Sequence, residues 1–291
     1  MEIRVLRYFL AVAREENISR AAEKLHVTQP TLSRQLADLE DEIGMMLFRR
    51  GRRITLTEAG MILRRRAEEV VALMDKIETD FAEADDVSGT ISIGSGIYDA
   101  FAPLSALMDE FVEQYPKVQY DVFTGTADIL KERLDHGLLD FAVLQEPIDV
   151  SHYDYFRLRE KEFWCLAMNA QNPLASKKTI KREDIVGHRL FLPARLAVRH
   201  EVENWLGNLD DFSVVVYQNL AGNGLSSVER GFAEMITLKG SVKYVDPARF
   251  AVRPLAPALT SSVVLAWKKM SPIFGAASKF LDFVQERKTS E

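Results

Sequence analysis

Residues 17–44 read NISRAAEKLHVTQPTLSRQLADLEDEIG, and this stretch predicts two short helices joined by a tight turn. Ser19 is a good N-cap for the first helix, and Val27 ends the turn. Thr28 can cap the second helix, with Pro30 in the first turn, where a missing N–H costs nothing. The second helix raises the main functional question, because of the side chains at its start.

That second helix separates a buried seam from a polar face. At 100° per residue, four apolar side chains fall within about 60° of one another and form the seam: Leu32, Leu36, Leu39 and Ile43. Pro30, Thr31, Ser33 and Arg34 point away from the seam, and neither they nor Gln29 at the helix start is acidic. The leading turns can therefore approach phosphates and base edges in a DNA major groove. The alternative is an ordinary helical hairpin with a solvated polar face.

A hairpin rich in arginine follows the helix pair. Residues 47–57 read LFRRGRRITLT, with four arginines around Gly51 and then an alternating strand in which Ile54 and Leu56 point inward. This pattern predicts a two-stranded wing whose arginines contact the sugar-phosphate backbone. Directly after a helix pair, the signal is much stronger than the same hairpin would be alone.

Charge divides the chain in the same way. The whole chain has a net charge of −6, yet residues 1–66 hold 13 basic and 9 acidic residues. The other 225 residues hold 24 basic and 34 acidic ones. A basic front attached to an acidic body places any phosphate-binding surface at the N-terminal end.

The order AAEKL, VTQPTLSRQ, LEDEIG, LFRR and LTEAG resembles the winged helix-turn-helix of LysR-type bacterial transcriptional regulators. The resemblance implies DNA contacts from the helix residues Gln29, Pro30, Thr31, Ser33 and Arg34 and from the wing residues Arg50, Arg52 and Arg53. The wing turn of this chain is one residue shorter than the common family pattern.

A long helix is predicted after the wing, from Glu58 to Ala84. Apolar residues repeat there at alternating spacings of four and three: Leu63, Ala67, Val70, Met74, Ile77, Phe81 and Ala84. Such a heptad seam predicts a two-helix coiled coil, with dimer contacts from Leu63, Val70, Met74, Ile77 and Phe81. Pairing would set two recognition helices side by side for an inverted repeat. The alternative is that the stripe packs on its own domain.

The sequence therefore predicts a mainly α-helical winged helix-turn-helix domain over 1–57 and a linker helix with a hinge over 58–88. Residues 89–291 alternate strands with helices, which predicts an α/β domain with parallel strands. The spacing of Gly125, Thr126 and the segment 137–143 resembles the effector domain of the same family, which is similar to periplasmic solute-binding proteins.

That resemblance implies two lobes with an effector-binding cleft between them. Lobe one would span about 89–160 and 267–291, and lobe two about 161–266. Eight residues are predicted around the effector: Ser95, Gly96, Tyr98, Thr126, Pro193, Arg195, Asn219 and Gly222. Tyr98 departs from the family, where Ser or Thr caps the first helix of this domain, and the sequence leaves open whether it blocks or contacts the effector. Helix capping explains each hydroxyl equally well, and Arg195 is equally a surface residue.

Sequence motifs of enzymes and membrane proteins are absent. There is no His-Glu-x-x-His pair, no Gly-x-Ser-x-Gly elbow and no phosphate-binding Gly-x-x-x-x-Gly-Lys loop. No apolar run reaches the ~18 residues of a membrane span, and the first residues lack the layout of a secretion signal. Cys165 is the single cysteine and lies in an apolar stretch, which favours a buried thiol in a reducing cytoplasm.

The expected function is sequence-specific transcription regulation in the bacterial cytoplasm. Expected partners are promoter DNA with an inverted repeat, a small-molecule effector and further copies of the chain, as a homodimer or, by resemblance, a homotetramer; RNA polymerase is a candidate partner. No cofactor, metal or membrane partner is expected. Two alternatives remain: a regulator without a small-molecule effector, constitutive or controlled by a partner, and a solute-binding protein. The missing export signal and the predicted DNA-binding domain at the N-terminal end argue against a solute-binding protein.

Overall fold

The computed structural model describes residues 1–49, 51, 53–80, 87–269 and 273–290. The chain forms two compact units, Met1–Ala84 and Asp85–Glu291. The hydrophobic clusters of the described residues each fall within one unit or the other. Each unit therefore has a hydrophobic core of its own.

The first unit is a winged helix module followed by a long helix. Its elements are α1 (Ile3–Glu15), α2 (Ile18–Lys24), α3 (Gln29–Ile43), β1 (Phe48–Arg49), β2 (Thr55–Leu56) and α4 (Glu58–Asp80). β1 and β2 pair in antiparallel register and form the predicted wing. The predicted seam of α3 is confirmed at Leu32, Leu36 and Leu39, which are buried, whereas Ile43 at the end of the helix is exposed.

The helix starts around the turn differ in one respect from the prediction. Asn17 Oδ1 accepts the N–H of Arg20 at 3.0 Å, so Asn17 and not Ser19 caps α2. Asparagine is as good a cap as serine, and the helix simply begins earlier. Thr28 caps α3 as predicted, because its Oγ1 accepts the N–H of Thr31 at 3.4 Å. His26 takes a left-handed conformation in the turn, with φ of 54°.

The linker helix α4 corrects part of the predicted dimer seam. Leu63 and the buried Ala67 pack against the core of the winged helix module, together with Val71. The predicted alternative, packing on its own domain, therefore holds for the first turns of α4. Further along, Val70 and Ile77 are 45% and 49% exposed. Phe81 and Ala84 lie outside the described residues.

Two α/β lobes make up the second unit. Lobe one contains β3 (Gly89–Ser95), α5 (Phe101–Gln114), β4 (Val118–Thr124), α6 (Ala127–Asp135), β5 (Phe141–Gln145), β6 (Tyr153–Arg157), β14 (Val263–Lys268) and α9 (Gly275–Ser290). Its sheet has the order β4-β3-β5-β14-β6. β3 is parallel to β4 and β5, as the strand-helix alternation predicts, and β14 is antiparallel to its neighbours.

Lobe two is built around a second sheet. It contains β7 (Glu162–Asn169), β8 (Ile180–Lys181), β9 (Arg189–Pro193), α7 (Leu196–Leu206), β10 (Ser213–Gln218), α8 (Leu225–Glu229), β11 (Glu234–Leu238), β12 (Phe250–Ala256) and β13 (Thr260–Ser261). The sheet order is β10-β9-β11-β7-β12-β8, with β13 beside β7. β9 is parallel to β10 and β11, which brings the carboxyl ends of β9 and β10 to one edge.

The chain passes between the lobes from β6 to β7 and again from β13 to β14. Because β14 pairs with β5 and β6, lobe one resumes at Val263. This corrects the predicted lobe boundary at residue 267. The apolar run at 263–266 suits the core of either sheet, and only strand pairing decides between them.

Candidate functional site

The start of α3 presents most of its predicted DNA-reading side chains to solvent. Gln29, Pro30, Thr31 and Arg34 are exposed, and Arg34 forms no ion pair among the described residues. The Thr31 hydroxyl lies 2.8 Å from the Thr28 hydroxyl, so part of its hydrogen bonding is used within the helix cap. This surface is cationic and free of acids, which suits DNA phosphates and base edges.

Ser33 corrects the prediction that it points outward with its neighbours. It is half-buried and lines a small gap inside the module, together with Leu36, Phe48 and Ile54. Ser33 lies three residues before Leu36, on the flank of the buried seam, which explains its orientation. We therefore expect Ser33 to affect the fit of the wing against α3 rather than a base edge.

The wing is held to the recognition helix by a carboxylate that the sequence reasoning missed. Glu40 is buried, and its Oε1 accepts the N–H groups of Leu47 at 2.7 Å and Phe48 at 3.0 Å. In the wing, the Arg53 side chain is 82% exposed and lies 3.8 Å from Glu16. Arg50 and Arg52 lie outside the described residues. Glu40 could have been singled out as an acid at a seam-flanking position of an otherwise apolar face.

A second candidate site is a cavity of about 310 Å³ between the two lobes of the effector domain. It is lined at the carboxyl ends of β9 and β10 and at the start of α6, where parallel α/β sheets commonly bind ligands. Six predicted effector residues line it: Gly96, Tyr98, Thr126, Pro193, Arg195 and Asn219. Lining residues that the sequence reasoning missed include Asp128, Gln145, Gln218, Thr237 and Ser241.

Two predicted effector residues do not line this cavity. Ser95 is buried, and its hydroxyl donates a hydrogen bond to the Gly96 carbonyl at 2.7 Å. It therefore lies beneath the surface at the end of β3. Gly222 is exposed in the turn before α8 and is not among the lining residues. Spacing along the sequence located both loops, but the direction of each residue depends on how the loop packs.

The start of α5 is occupied by the protein's own side chains. Glu162, from the first residue of β7 in lobe two, accepts the Ala100 N–H at 2.7 Å. Burial raises the pKa of the Glu162 carboxyl, and the Ala100 N–H opposes that rise. The ring of Tyr98 covers Gly96 so closely that a Cβ at residue 96 would lie 2.3 Å from Tyr98 Cζ. Burial raises the pKa of Tyr98 to about 12, so the phenol is neutral at physiological pH.

Arg195 crosses the cleft from lobe two to lobe one. Its guanidinium donates to the carbonyl of Gln145 at 3.1 Å and to the carbonyl of Pro147. Burial lowers the pKa of Arg195, while Tyr98 and Asp128 oppose that effect. The two carbonyls fix the position of the guanidinium but do not neutralise its charge.

Helix α6 starts at the cavity without a side-chain cap. Thr126 occupies the N-cap position, but its hydroxyl makes no hydrogen bond to the helix. The hydroxyl and the first amides of α6 therefore remain available to a ligand. The preference of threonine for N-cap positions does not reveal whether the Thr126 hydroxyl caps α6 or stays free for a ligand.

Neither metal ligation nor membrane insertion is indicated within the described parts of the chain. No group of three or more His, Cys, Asp and Glu side chains is placed to hold a metal ion there. No helix in those parts has the length and apolar character needed to cross a bilayer.

Comparison with known proteins identifies both units. Residues 3–61 match the model of bacterial regulatory helix-turn-helix proteins of the lysR family, and residues 84–289 match the LysR substrate-binding domain. The chain belongs to the LysR family. This LysR-family protein is accordingly a DNA-binding transcriptional regulator, and the predicted fold class is confirmed.

Two similar regulators support the same assignment, and one solved structure supports the fold. The chain is 38% identical over 196 residues to the transcriptional regulator BsdA of Bacillus subtilis, a match covering 66% of this chain and 67% of BsdA. It is 27% identical to the Hca operon transcriptional activator HcaR of Escherichia coli, across 100% of this chain and 99% of HcaR. The crystal structure of the LysR-family regulator CbnR has a TM-score of 0.74, with 23% identity over 98% of this chain and 99% of CbnR.

Proposed function

We propose that this LysR-family regulator binds an inverted-repeat operator as a homodimer or homotetramer, and that a small molecule between the lobes modulates that binding. The cavity of about 310 Å³, lined by residues from both lobes, carries the proposal. A ligand that contacts two lobes binds one lobe angle better than others and shifts the population towards it. Such a shift would reach the operator as a changed spacing of the paired recognition helices.

Two features support the DNA-binding part of the proposal. The start of α3 is exposed, non-acidic and flanked by an arginine wing. On α4, the exposed apolar side chains of Val70 and Ile77 offer a face for a second copy. Among the structural neighbours, full-length CbnR has also been solved in complex with its target DNA.

Operator binding can be tested by selection of the full-length protein from a library of random duplexes. The expected product is an inverted repeat. Replacing Val70 and Ile77 with glutamate should halve the mass in light scattering, from dimer to monomer or from tetramer to dimer, and abolish enrichment of paired half-sites. Enrichment of a single half-site by the wild-type protein, or an unchanged mass of the double variant, would contradict pairing through α4.

Effector control can be tested with the selected operator and a library of small metabolites. A compound that acts in the cleft should change the operator affinity of the wild-type protein but not that of Asn219→Trp, which fills the cavity. Lys178→Trp, on an exposed loop residue that does not line the cavity, is the matched control. A response that survives Asn219→Trp would place effector control elsewhere, in favour of a regulator that needs no ligand in this cleft.

A further inference from the structure

The charges around the cavity indicate the chemical class of its ligand. Among the described residues that line it, two are charged: Asp128 in the first turn of α6 and Arg195 before α7. The first belongs to lobe one and the second to lobe two. Neither forms an ion pair within the described residues. The cleft therefore presents one negative and one positive side chain from opposite walls, and the two interact electrostatically without an ion pair.

Arg195 is prepared to receive an anionic group. Its bonds to the carbonyls of Gln145 and Pro147 hold the guanidinium in place without supplying a negative charge. Asp128 and Glu201 act on this cation electrostatically without forming an ion pair with it, so a ligand carboxylate can accept parallel hydrogen bonds from its remaining N–H groups. The uncapped amides at the start of α6 also favour the carboxylate of a ligand.

A simple monoanion would satisfy only one side of the cleft. Asp128, a solvent-exposed part of the lining, would repel it, with the repulsion weakened by water. The start of α5 offers no second place for the anion, since Glu162 already accepts the Ala100 N–H and Tyr98 covers Gly96. A molecule with a positive group beside its carboxylate would complement both side chains.

The remaining walls limit the rest of the ligand. Trp164, Val198, Ile236 and Leu238 form an apolar part of the lining, and Thr126, Asn219 and Thr237 add neutral polar groups. A volume of about 310 Å³ is at the small end of ligand pockets. This combination suits a compact molecule with an uncharged substituent and not a nucleotide.

We propose that the cleft binds a zwitterion of amino-acid size, with its carboxylate at Arg195, its ammonium group at Asp128 and an uncharged side chain against Trp164 and Ile236. This inference rests on the proposed function, since it names the ligand of the same cleft. The decisive feature is the demand for both charges on one small molecule.

The test uses the full-length protein and the standard L-amino acids in a thermal-shift screen, followed by calorimetry. For each amino acid that binds, two analogues are compared: the deaminated carboxylic acid and the decarboxylated amine with the same carbon skeleton. At least one amino acid with an uncharged side chain should bind, and each of its analogues should bind at least ~10-fold more weakly. Binding of no amino acid, or equally tight binding of either analogue, would overturn the inference.

Asp128→Asn separates the ammonium contact from the rest of the site. It should weaken amino-acid binding at least ~10-fold while leaving binding of the deaminated acid unchanged or tighter. Asp282→Asn, at an exposed residue of α9, is the control and should alter neither. Equal losses for both ligands in Asp128→Asn would contradict the assignment. If a monoanion or neutral metabolite binds instead and loses affinity in Asn219→Trp, the zwitterion is wrong and the proposed effector cleft stands. If no small molecule binds the cleft, both fail.

Discussion

Helices α3 and α6 both begin after a threonine, yet they use it differently. Thr28 Oγ1 accepts the Thr31 N–H and closes the start of α3. Thr126 makes no such bond, so α6 begins with open amides at the cavity. The recognition helix therefore presents side chains to its target, whereas the cleft helix presents a hydroxyl and backbone N–H groups. A threonine before a helix marks where the helix starts, but its use depends on what the start faces.

Helix α5 adds a third arrangement to this comparison. It lacks a side-chain cap from its own N-cap residue, Ala100, and receives the Glu162 carboxylate from lobe two instead. Sealing a helix start from a distant strand couples the two lobes at that point. The start of α3 is thus capped by its own N-cap threonine and that of α5 by a carboxylate from lobe two. The start of α6 has no side-chain cap.

The largest expected effect comes from Glu162, the carboxylate that reaches the start of α5 from lobe two. Glu162→Ala removes the partner of a buried N–H and leaves a cavity beside Tyr98, so we expect unfolding of the effector domain to become about 2–3 kcal/mol easier. Chemical denaturation of the full-length protein, followed by tryptophan fluorescence, measures this. A loss within the error of the measurement would show that α5 does not need this carboxylate.

Glu162→Gln tests the charge separately. Because burial raises the pKa of Glu162 in the folded state, its stabilising contribution is complete at acidic pH, below the usual carboxyl range. The contribution is lost as the pH rises through the folded-state pKa. The glutamine variant keeps an acceptor for Ala100 without that titration. Wild type should therefore lose stability relative to Glu162→Gln between acidic and neutral pH, and a constant difference would refute the assignment.

At the recognition helix, the expected effect is on binding and not on stability. Arg34→Ala should cost about 2 kcal/mol of affinity for the selected operator and relax sequence preference, because an exposed arginine at this position can read a guanine edge. Arg53→Ala, in the wing, should weaken cognate and random duplexes alike. Parallel fluorescence-anisotropy titrations with both duplexes compare the variants. Equal losses on the two duplexes for Arg34→Ala would remove it from base reading.

The smallest effects are expected at the two N-cap threonines, Thr28 and Thr126. Thr28→Ala removes a helix cap and should destabilise the N-terminal unit by about 1 kcal/mol. Thr126→Ala removes a hydroxyl that caps nothing, so its effect on stability should stay within about 0.5 kcal/mol. Thermal and chemical unfolding of both variants provide the measurement. A similar cost for Thr126→Ala would mean that α6 is capped in solution and that its amides are not open to ligands.

The sequence predicted the N-terminal unit well, because helix periodicity and capping are local. The seam at Leu32, Leu36 and Leu39, the cap at Thr28 and the wing all agree with the structure. The error at α4, where Leu63 and Ala67 pack on the module, is one of tertiary contact. Two others concern choices that local chemistry leaves nearly equal. Asn17 and Ser19 are both good caps, and Ser33 lies at the border of the buried face.

The cleft was less predictable, because its residues come together only through long-range packing. The loops that carry Tyr98, Thr126 and Arg195 were located from resemblance, but the seal from Glu162 required strands far apart in sequence to meet. The bonds from Arg195 to Gln145 and Pro147 depend likewise on the position of one lobe against the other. No periodicity encodes such contacts.

Glu40 has a consequence for redesigning DNA specificity. Since this residue of α3 accepts both the Leu47 and Phe48 amides, it fixes the depth at which the hairpin can sit relative to the helix that precedes it. A chimera that replaces only the outward side chains of α3 keeps these two hydrogen bonds to Glu40. A transplant that replaces residue 40 with an apolar residue would leave the wing hairpin loosely held against the new recognition helix. Its altered base preference would then come with a lower affinity for the duplex.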